Sequence, residues 1–310
     1  PDSRALRVRH GHRHGEAGIM NPANPAELRA ALERHGFRFS KSKGQNFLIN
    51  PNIPRRIAAI SGAAEDSFVL EVGPGAGSLT VELAQLAGRV CAVEVDAAVL
   101  PLLAEALEGV TNAEVIQADA LKTDLCKLVS ERACGLRPMV CANLPYSITS
   151  PLLSKFIDSG CFERITVMVQ REVALRLAAE PGSADYGAFT IYVNWHCEVE
   201  RLFGVPPSCF MPQPKVTSSV IRLTPRNAPP CGCADEAFMF RCVRAAFSQR
   251  RKTLANALSN GLHIPREAAA SAIERAGFGP AVRGEALSGC DFARLSSFLA
   301  DSLKKPEKRL

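Results

Sequence analysis

The sequence predicts a doubly wound α/β domain followed by a small, entirely helical domain. From about residue 67, short apolar runs alternate with amphipathic helical patterns, whereas after about residue 234 only helical patterns remain. Continuous apolar runs between helices are typical of parallel strands that are covered on both faces. A chain of 310 residues is long enough to hold both domains.

The predicted elements follow from the apolar periodicity and from the prolines between them. Strands are predicted at 68–72, 90–95, 113–117, 138–142, 165–169, 198–203 and 218–223. Helices are predicted at 78–86 and 97–107, and in the last part of the chain at 236–248, 253–260, 265–276 and 291–303. We therefore place the α/β domain at 20–225, a proline-containing linker at 226–234 and the helical domain at 235–310.

Residues 1–19 have four arginines and three of the six histidines, but no apolar stretch like that of a signal peptide. We predict that this segment is a disordered extension. No apolar run in the chain is long enough to cross a bilayer. The eleven cysteines include no CxxC pair, so we expect buried thiols in a reducing cytoplasm and no metal site. Residues 231–233 (Cys-Gly-Cys) come nearest to a ligand pair but lack a partner pair.

The charge of the chain is divided unevenly. Residues 20–225 have 19 Lys and Arg against 21 Asp and Glu, whereas residues 226–310 have 14 against 8. A basic C-terminal part on a near-neutral body indicates a polyanionic partner, although an ordinary solvated surface is the alternative.

A glycine-rich turn follows the first predicted strand, and acidic residues stand at the ends of the next two. Gly73, Gly75 and Gly77 alternate, which is not the spacing of a dinucleotide-binding loop. Glu94 lies 21 residues after Gly73, where a carboxylate can accept hydrogen bonds from both ribose hydroxyls. Asp119, after the third strand, can accept one from an adenine amine. Together they predict an adenosine-containing ligand, although each acid could instead cap a helix.

The fourth predicted strand is followed by Asn143-Leu144-Pro145-Tyr146, at the same edge of the sheet. An exocyclic adenine amine is a poor nucleophile, and two acceptors on its hydrogens raise its reactivity. The Asn143 side-chain oxygen is one candidate, and the carbonyl of Leu144 or Pro145 is the other. Pro145 fixes the local backbone, and Tyr146 offers a face for stacking a flipped base. The alternative is a plain turn, since Asn and Pro are common turn residues.

The glycine pattern resembles that of Rossmann-like S-adenosylmethionine-dependent methyltransferases, which implies S-adenosylmethionine as the cofactor and a seven-stranded sheet with an antiparallel last strand. A closer resemblance, to the KsgA-type ribosomal RNA small-subunit adenine N6,N6-dimethyltransferases, covers about residues 37–298. Its motifs occur in the family's order at 45–48, 143–146, 169–174, 210–216 and 246–254.

This resemblance implies roles for individual residues. Asn46 and Leu48 would contact S-adenosylmethionine together with Gly73, Glu94, Asp119 and Asn143. Phe210 would form a second aromatic wall opposite Tyr146, with core packing as the alternative. Two positions depart from the family's usual residues. Ser147 stands where Asn is common, so we expect altered neighbouring contacts without loss of activity, and Lys43 stands where Leu is common.

Arg250, Arg251 and Lys252 form the densest basic run, and we predict that they bind RNA phosphates, a solvated face being the alternative. The implied activity is N6,N6-dimethylation of two adjacent adenosines in a 3′-terminal hairpin loop of small-subunit (16S) ribosomal RNA, during small-subunit biogenesis. The expected partner is this RNA or the premature small subunit, and the expected state is a monomer that is not membrane-bound. The alternatives are a large-subunit methylase of the macrolide-resistance type and a ribosome-assembly factor that acts mainly by binding.

Overall fold

The computed structural model of the chain describes residues 5–6, 20–40 and 45–304. Most of the predicted disordered extension, the departure at Lys43 and the last six residues lie outside these ranges. The described part divides into two compact units. The described residues of the first unit fall within Pro1–Ala174 and Glu200–Pro225, and those of the second fall within Leu175–Val199 and Arg226–Leu310.

A mostly parallel sheet forms the centre of the first unit. Its strands, in chain order, are β1 (Ala5–Leu6), β3 (Ser67–Val72), β4 (Arg89–Glu94), β5 (Ala113–Gln117), β6 (Arg137–Asn143), β7 (Arg164–Gln170), β8 (Cys197–Val205) and β10 (Ser218–Pro225). The spatial order is β1-β5-β4-β3-β6-β7-β10-β8. A separate two-stranded ribbon pairs β2 (Phe47–Leu48) with β9 (Phe210–Met211).

The seven strands other than β1 confirm the predicted sheet. The pairs among β3, β4, β5, β6 and β7 are parallel, and β10, the last strand in the chain, runs antiparallel to β7. Every residue of β3 is buried, as expected for a central strand that is covered on both faces. The two-residue strand β1 pairs antiparallel with β5 at the edge, so residues 5–6 depart from the predicted disorder.

Helices cover the sheet and connect its strands. They are α1 (Pro25–Arg34), α2 (Asn52–Ser61), α3 (Ser78–Ala84), α4 (Leu100–Ala106), α5 (Leu125–Arg132), α6 (Thr149–Ser159) and α7 (Arg171–Leu177). Because β3, β4, β5 and β6 run parallel, their carboxyl ends lie at one edge of the sheet, where the crevice of a doubly wound fold forms.

The second unit is helical, and it is larger than predicted. It contains α8 (Ala188–His196), α9 (Glu236–Ser248), α10 (Leu254–Leu262), α11 (Arg266–Arg275) and α12 (Gly289–Lys304). The sequence placed residues 175–199 in the α/β domain. In the structure Ile191 and Trp195 of α8 are buried in one cluster with Met239 and Phe292. An apolar helix packs where its buried face finds partners, and here those partners come from later in the chain.

The cysteines depart in part from the expectation of reduced thiols. Cys231 and Cys290 form a disulfide that links the segment before α9 to the first turn of α12. Cys91 and Cys141 are fully buried in the sheet, as expected of cysteines that serve as small hydrophobic residues. Among the described residues, no helix combines the length and the apolar character needed to cross a bilayer.

Candidate active site

A cavity of about 120 Å³ lies at the carboxyl ends of β3, β4, β5 and β6 in the first unit. Eight of the residues predicted for the site line it: Asn46, Leu48, Gly73, Glu94, Asp119, Asn143, Pro145 and Tyr146. They come from four strand ends and from the segment around β2. The fold thus brings together side chains that are up to 100 residues apart in the sequence.

The glycine-rich turn presents bare backbone to this cavity. Gly73, Gly75 and Gly77 have φ values of 70°, 56° and 90°, a region that favours glycine. A Cβ atom at Gly75 would lie 2.9 Å from the ring of Phe47. A side chain at Gly75 would therefore displace Phe47, which packs against Phe37 and Phe39 with ring centroids 5.7 and 5.2 Å apart. Glycine here permits the close approach of the segment around β2.

Glu94 ends β4 with its side chain almost entirely buried, and burial raises the pKa of its carboxyl. Its Oε1 accepts a hydrogen bond from the Asp96 backbone N–H at 2.8 Å. Asp96 in turn accepts from Gln45 Nε2 at 2.6 Å, and Gln45 Oε1 accepts from the Ser40 N–H at 3.0 Å. Gln45 and Asp96 both line the cavity, and neither is among the residues predicted for the site. Gln45 could have been predicted from its place in the motif at 45–48, and Asp96 from its position two residues after Glu94.

Asp119 lines the cavity and also stabilises its own turn. Its Oδ1 accepts a hydrogen bond from the Leu121 N–H at 2.9 Å, and its Oδ2 lies 3.7 Å from Lys122 Nζ. Oδ1 of Asp119 therefore caps its own turn, which is the alternative role predicted for this acid. The side chain remains about one-third exposed, at 35%.

Glu71 is a further cavity residue that is not among the residues predicted for the site. Its side chain is 1% exposed, and Oε2 has no hydrogen-bond partner among the described residues. Burial raises the pKa of this carboxyl to about 8, so it is protonated at neutral pH.

This raised pKa gives a pH-dependent stability with a defined sign. Between pH 5 and 8 the unfolded chain loses the Glu71 proton while the folded chain keeps it, so ionisation favours unfolding as the pH rises. Relative to the Glu71→Gln variant, the wild-type free energy of unfolding should fall by up to about 1.4 kcal/mol per pH unit over this range. Denaturant titrations of both proteins at three pH values would measure this difference. Parallel stability curves would contradict the assigned ionisation.

The segment 143–146 lies at the cavity edge. Its hydrogen bonds distinguish between the carbonyls of Leu144 and Pro145, the two candidates for the second acceptor. The Pro145 carbonyl already accepts hydrogen bonds from Ile148 N–H at 3.2 Å and from Thr149 Oγ1 at 3.1 Å. No described residue donates to the Leu144 carbonyl, and the Leu144 N–H donates to Met168 O at 3.1 Å. Leu144 rather than Pro145 therefore offers the free carbonyl.

The Asn143 side chain lies beside this carbonyl. Its Nδ2 is 3.4 Å from Asn46 O, so this weak hydrogen bond directs the amide nitrogen toward the backbone of Asn46.

Tyr146 lies on a short 3-10 turn, Tyr146–Ile148, directly after this segment. Its hydroxyl forms a hydrogen bond of 2.6 Å with Ser218 Oγ, and burial raises the pKa of the phenol. Ser218 belongs to β10 and is 72 residues away in the sequence, so no local signal could have identified it. Ser147, the next residue, is exposed.

Phe210 does not line the cavity, which corrects its predicted place in the site. Its ring is 1% exposed and packs in a core cluster with Leu48, Val205 and Cys209. The reason is the ribbon of β2 and β9, in which Phe210 is directly opposite Leu48 and both side chains are buried. Core packing, the alternative reading of this phenylalanine, describes it in this structure.

The predicted basic run in the second unit separates into two kinds of residue. Arg250 donates to Ala184 O at 3.1 Å and to Tyr186 O at 3.0 Å, so its guanidinium holds the local fold together. Arg251 and Lys252 are exposed, and neither forms an ion pair with any residue in the described part of the chain.

Comparison with known proteins adds to this geometry. Residues 36–300 match the family model described as ribosomal RNA adenine dimethylase. The chain is 45% identical to the ribosomal RNA small subunit methyltransferase A of Geobacillus thermodenitrificans (strain NG80-2), over 89% of this chain and 96% of that protein. It is 43% identical to the protein of the same name from Shouchella clausii (strain KSM-K16), over 92% and 98%.

Two solved structures are similar to the chain at 28% identity each. A dimethyladenosine transferase from Plasmodium falciparum has a TM-score of 0.70, with 82% of this chain and 98% of that chain covered. The 23S rRNA methyltransferase ErmE has a TM-score of 0.63, with 82% and 100% covered.

Proposed function

Because the chain belongs to the ribosomal RNA adenine dimethylase family, we propose that it transfers methyl groups from S-adenosylmethionine to N6 of adenosines in small-subunit ribosomal RNA, giving N6,N6-dimethyladenosine. Its targets would be two adjacent adenosines in a 3′-terminal hairpin loop, modified during small-subunit biogenesis. The observation that carries this proposal is the pair of acceptors at Asn143 and Leu144 beside the cavity.

The cavity suits the cofactor on which this family depends. S-adenosylmethionine supplies an electrophilic methyl group on a sulfonium sulfur. The buried Glu94 carboxylate matches ribose hydroxyls, and the side-chain-free edge at Gly73 and Gly75 admits a ligand close to the backbone. Asp119 would accept a hydrogen bond from the adenine amine of the cofactor. The segment at Asn46–Leu48 would cover the ligand.

The chemistry then depends on how the chain presents the target adenine. The N6 lone pair is delocalised into the ring, and acceptors on the two N6 hydrogens restore electron density to the nitrogen. We propose that Asn143 Oδ1 and the Leu144 carbonyl accept these hydrogens, while the face of Tyr146 stacks on the flipped base. N6 would receive the methyl group that bound S-adenosylmethionine supplies, with the sulfonium sulfur as the leaving group. The ammonium that results loses its proton readily, so positioning supplies most of the acceleration.

The main alternative function, methylation of large-subunit RNA, differs from the proposed one in the ribosomal subunit that is modified. The likeness to the 23S rRNA methyltransferase is at 28% identity, whereas the relatives at 43–45% are named for the small subunit. Undermethylated small and large subunits, incubated separately with the protein and radiolabelled S-adenosylmethionine, would distinguish the two. We expect methyl incorporation into the small subunit only. Incorporation into the large subunit instead would favour the rival function.

Arg251 and Lys252 are proposed as phosphate contacts, so the Arg251→Ala/Lys252→Ala protein should bind small-subunit RNA more weakly. Each lost contact should lower the slope of log K against log salt by roughly 0.7 to 1. A suitable control removes two charges that already have partners in the second unit. These are Arg275, 3.8 Å from Asp301, and Arg294, 2.8 Å from Asp291. Filter-binding titrations at several salt concentrations provide the slopes, and equal changes in the two double variants would contradict the assignment.

A further inference from the structure

Tyr146 reaches the cavity from a short 3-10 turn, where the backbone leaves two side-chain torsions free. The ring of Tyr146 stacks on the target adenine most favourably if its plane is fixed before the base arrives. Each torsion that must be ordered as the base binds costs free energy. Among the described residues, the Tyr146 side chain forms one hydrogen bond, between its hydroxyl and Ser218 Oγ at 2.6 Å. The orientation of the ring is therefore determined at its far end.

Ser218 is a rigid anchor for this bond. It is completely buried and begins β10, which pairs with β7 in continuous register from Ser218 opposite Gln170 to Leu223 opposite Ile165. A buried hydroxyl without a partner costs about 1–3 kcal/mol, so this Ser218 hydroxyl requires an acceptor or donor nearby. The Tyr146 hydroxyl is that partner. Burial raises the pKa of the Tyr146 phenol, so this group stays protonated throughout the neutral range.

The next residue of β10 provides an internal comparison. Ser219 is 3% exposed, and its hydroxyl donates to Phe203 O at 3.3 Å. Successive side chains of a strand point to opposite faces, so Ser219 faces away from Tyr146 and does not line the cavity. The two adjacent serines thus have similar burial, and each hydroxyl forms one hydrogen bond to a described residue. They differ in that only the partner of Ser218 lines the cavity.

We propose that Ser218 is a positioning residue, which holds the ring of Tyr146 in the plane on which the target adenine stacks. This inference rests on the proposed function, since it specifies how the same site orders its substrate. Ser218 does not touch the reacting atoms. Its removal should therefore lower the rate of methyl transfer to bound RNA without changing the binding of S-adenosylmethionine.

The test is a double-mutant cycle on the single-turnover rate, with Ser218→Ala, Tyr146→Phe and the double variant. Each single substitution should lower the rate about tenfold. The double variant should lose no more than either single variant, because both remove the same bond. Calorimetric titration with S-adenosylmethionine should give unchanged Kd values in all three. Ser219→Ala should lose comparable thermal stability but keep the wild-type rate.

Several results would overturn the inference: a wild-type rate in Ser218→Ala, losses that multiply in the double variant, or an equal loss of rate in Ser219→Ala. If Ser218→Ala does not fold, Tyr146→Phe decides the question, since it keeps the ring and the serine, and a wild-type rate there would refute the role. A wild-type protein that methylates no adenine would instead refute the proposed function. The two failures are therefore distinguishable.

Discussion

The Asn143→Ala protein is expected to transfer methyl groups about 10²–10³-fold more slowly than the wild type, the loss typical when one preorganised hydrogen-bonding group is removed from a reacting centre. Its stability should change little, because the one hydrogen bond of the Asn143 side chain to a described residue is a weak one, to Asn46 O at 3.4 Å. Single-turnover rates with excess enzyme, together with thermal unfolding, would measure both effects.

A matched asparagine in the same unit provides the control. Asn112 donates two hydrogen bonds, to Ala84 O at 2.9 Å and to Ala87 O at 2.8 Å, and does not line the cavity. Asn112→Ala should therefore lose about 2 kcal/mol of stability and keep its activity below the unfolding transition. A wild-type rate in Asn143→Ala would remove Asn143 from the chemistry and leave the acceptor role to the Leu144 carbonyl alone.

The second large effect concerns Glu94. Glu94→Gln should weaken the binding of S-adenosylmethionine by roughly 10²-fold, since hydrogen bonds to a charged acceptor contribute about 1.5–3 kcal/mol each. Burial raises the pKa of Glu94, and binding requires the carboxylate. The wild-type affinity should thus fall as the pH is lowered through this raised pKa, at a higher pH than an exposed glutamate would require. The affinity of Glu94→Gln should be flat over the same range.

Calorimetric titrations without RNA would measure these affinities. Glu114→Gln is the control, because Glu114 forms ion pairs with Arg89 at 3.2 Å and Arg132 at 2.7 Å and does not line the cavity. It should lose stability and keep its cofactor affinity. Equal affinity of Glu94→Gln and the wild type at neutral pH would show that Glu94 only caps its turn, through the bond to the Asp96 N–H.

The sequence was sufficient for those parts of the site that depend on local pattern and on topology. Apolar runs between helices predict a parallel sheet, and the carboxyl ends of parallel strands meet at one edge. Glu94, Asp119 and Asn143 each lie at or just after the carboxyl end of such a strand, so the sequence predicts their convergence on one cavity.

Other features depend on which distant segments pack together, and no local pattern determines that. The phenylalanine at 210 has the same sequence signal whether it lines a cavity or fills a core, and its pairing opposite Leu48 placed it in the core. Three other contacts join residues at least 40 positions apart. They are the packing of Trp195 with Met239 in the second unit, the disulfide of Cys231 with Cys290 and the hydrogen bond of Ser218 with Tyr146.

The most direct test of the proposed function is the identity of the modified nucleoside. Undermethylated small subunits would be incubated with the protein and S-adenosylmethionine, and their RNA would be digested to nucleosides for mass spectrometry. The proposed chemistry predicts N6,N6-dimethyladenosine that depends on the protein, at two nucleosides per subunit, and about 10²–10³-fold slower formation with Asn143→Ala. Methylation at another base or ring atom, or adenosine that remains unmodified with a folded, cofactor-binding protein, would contradict it.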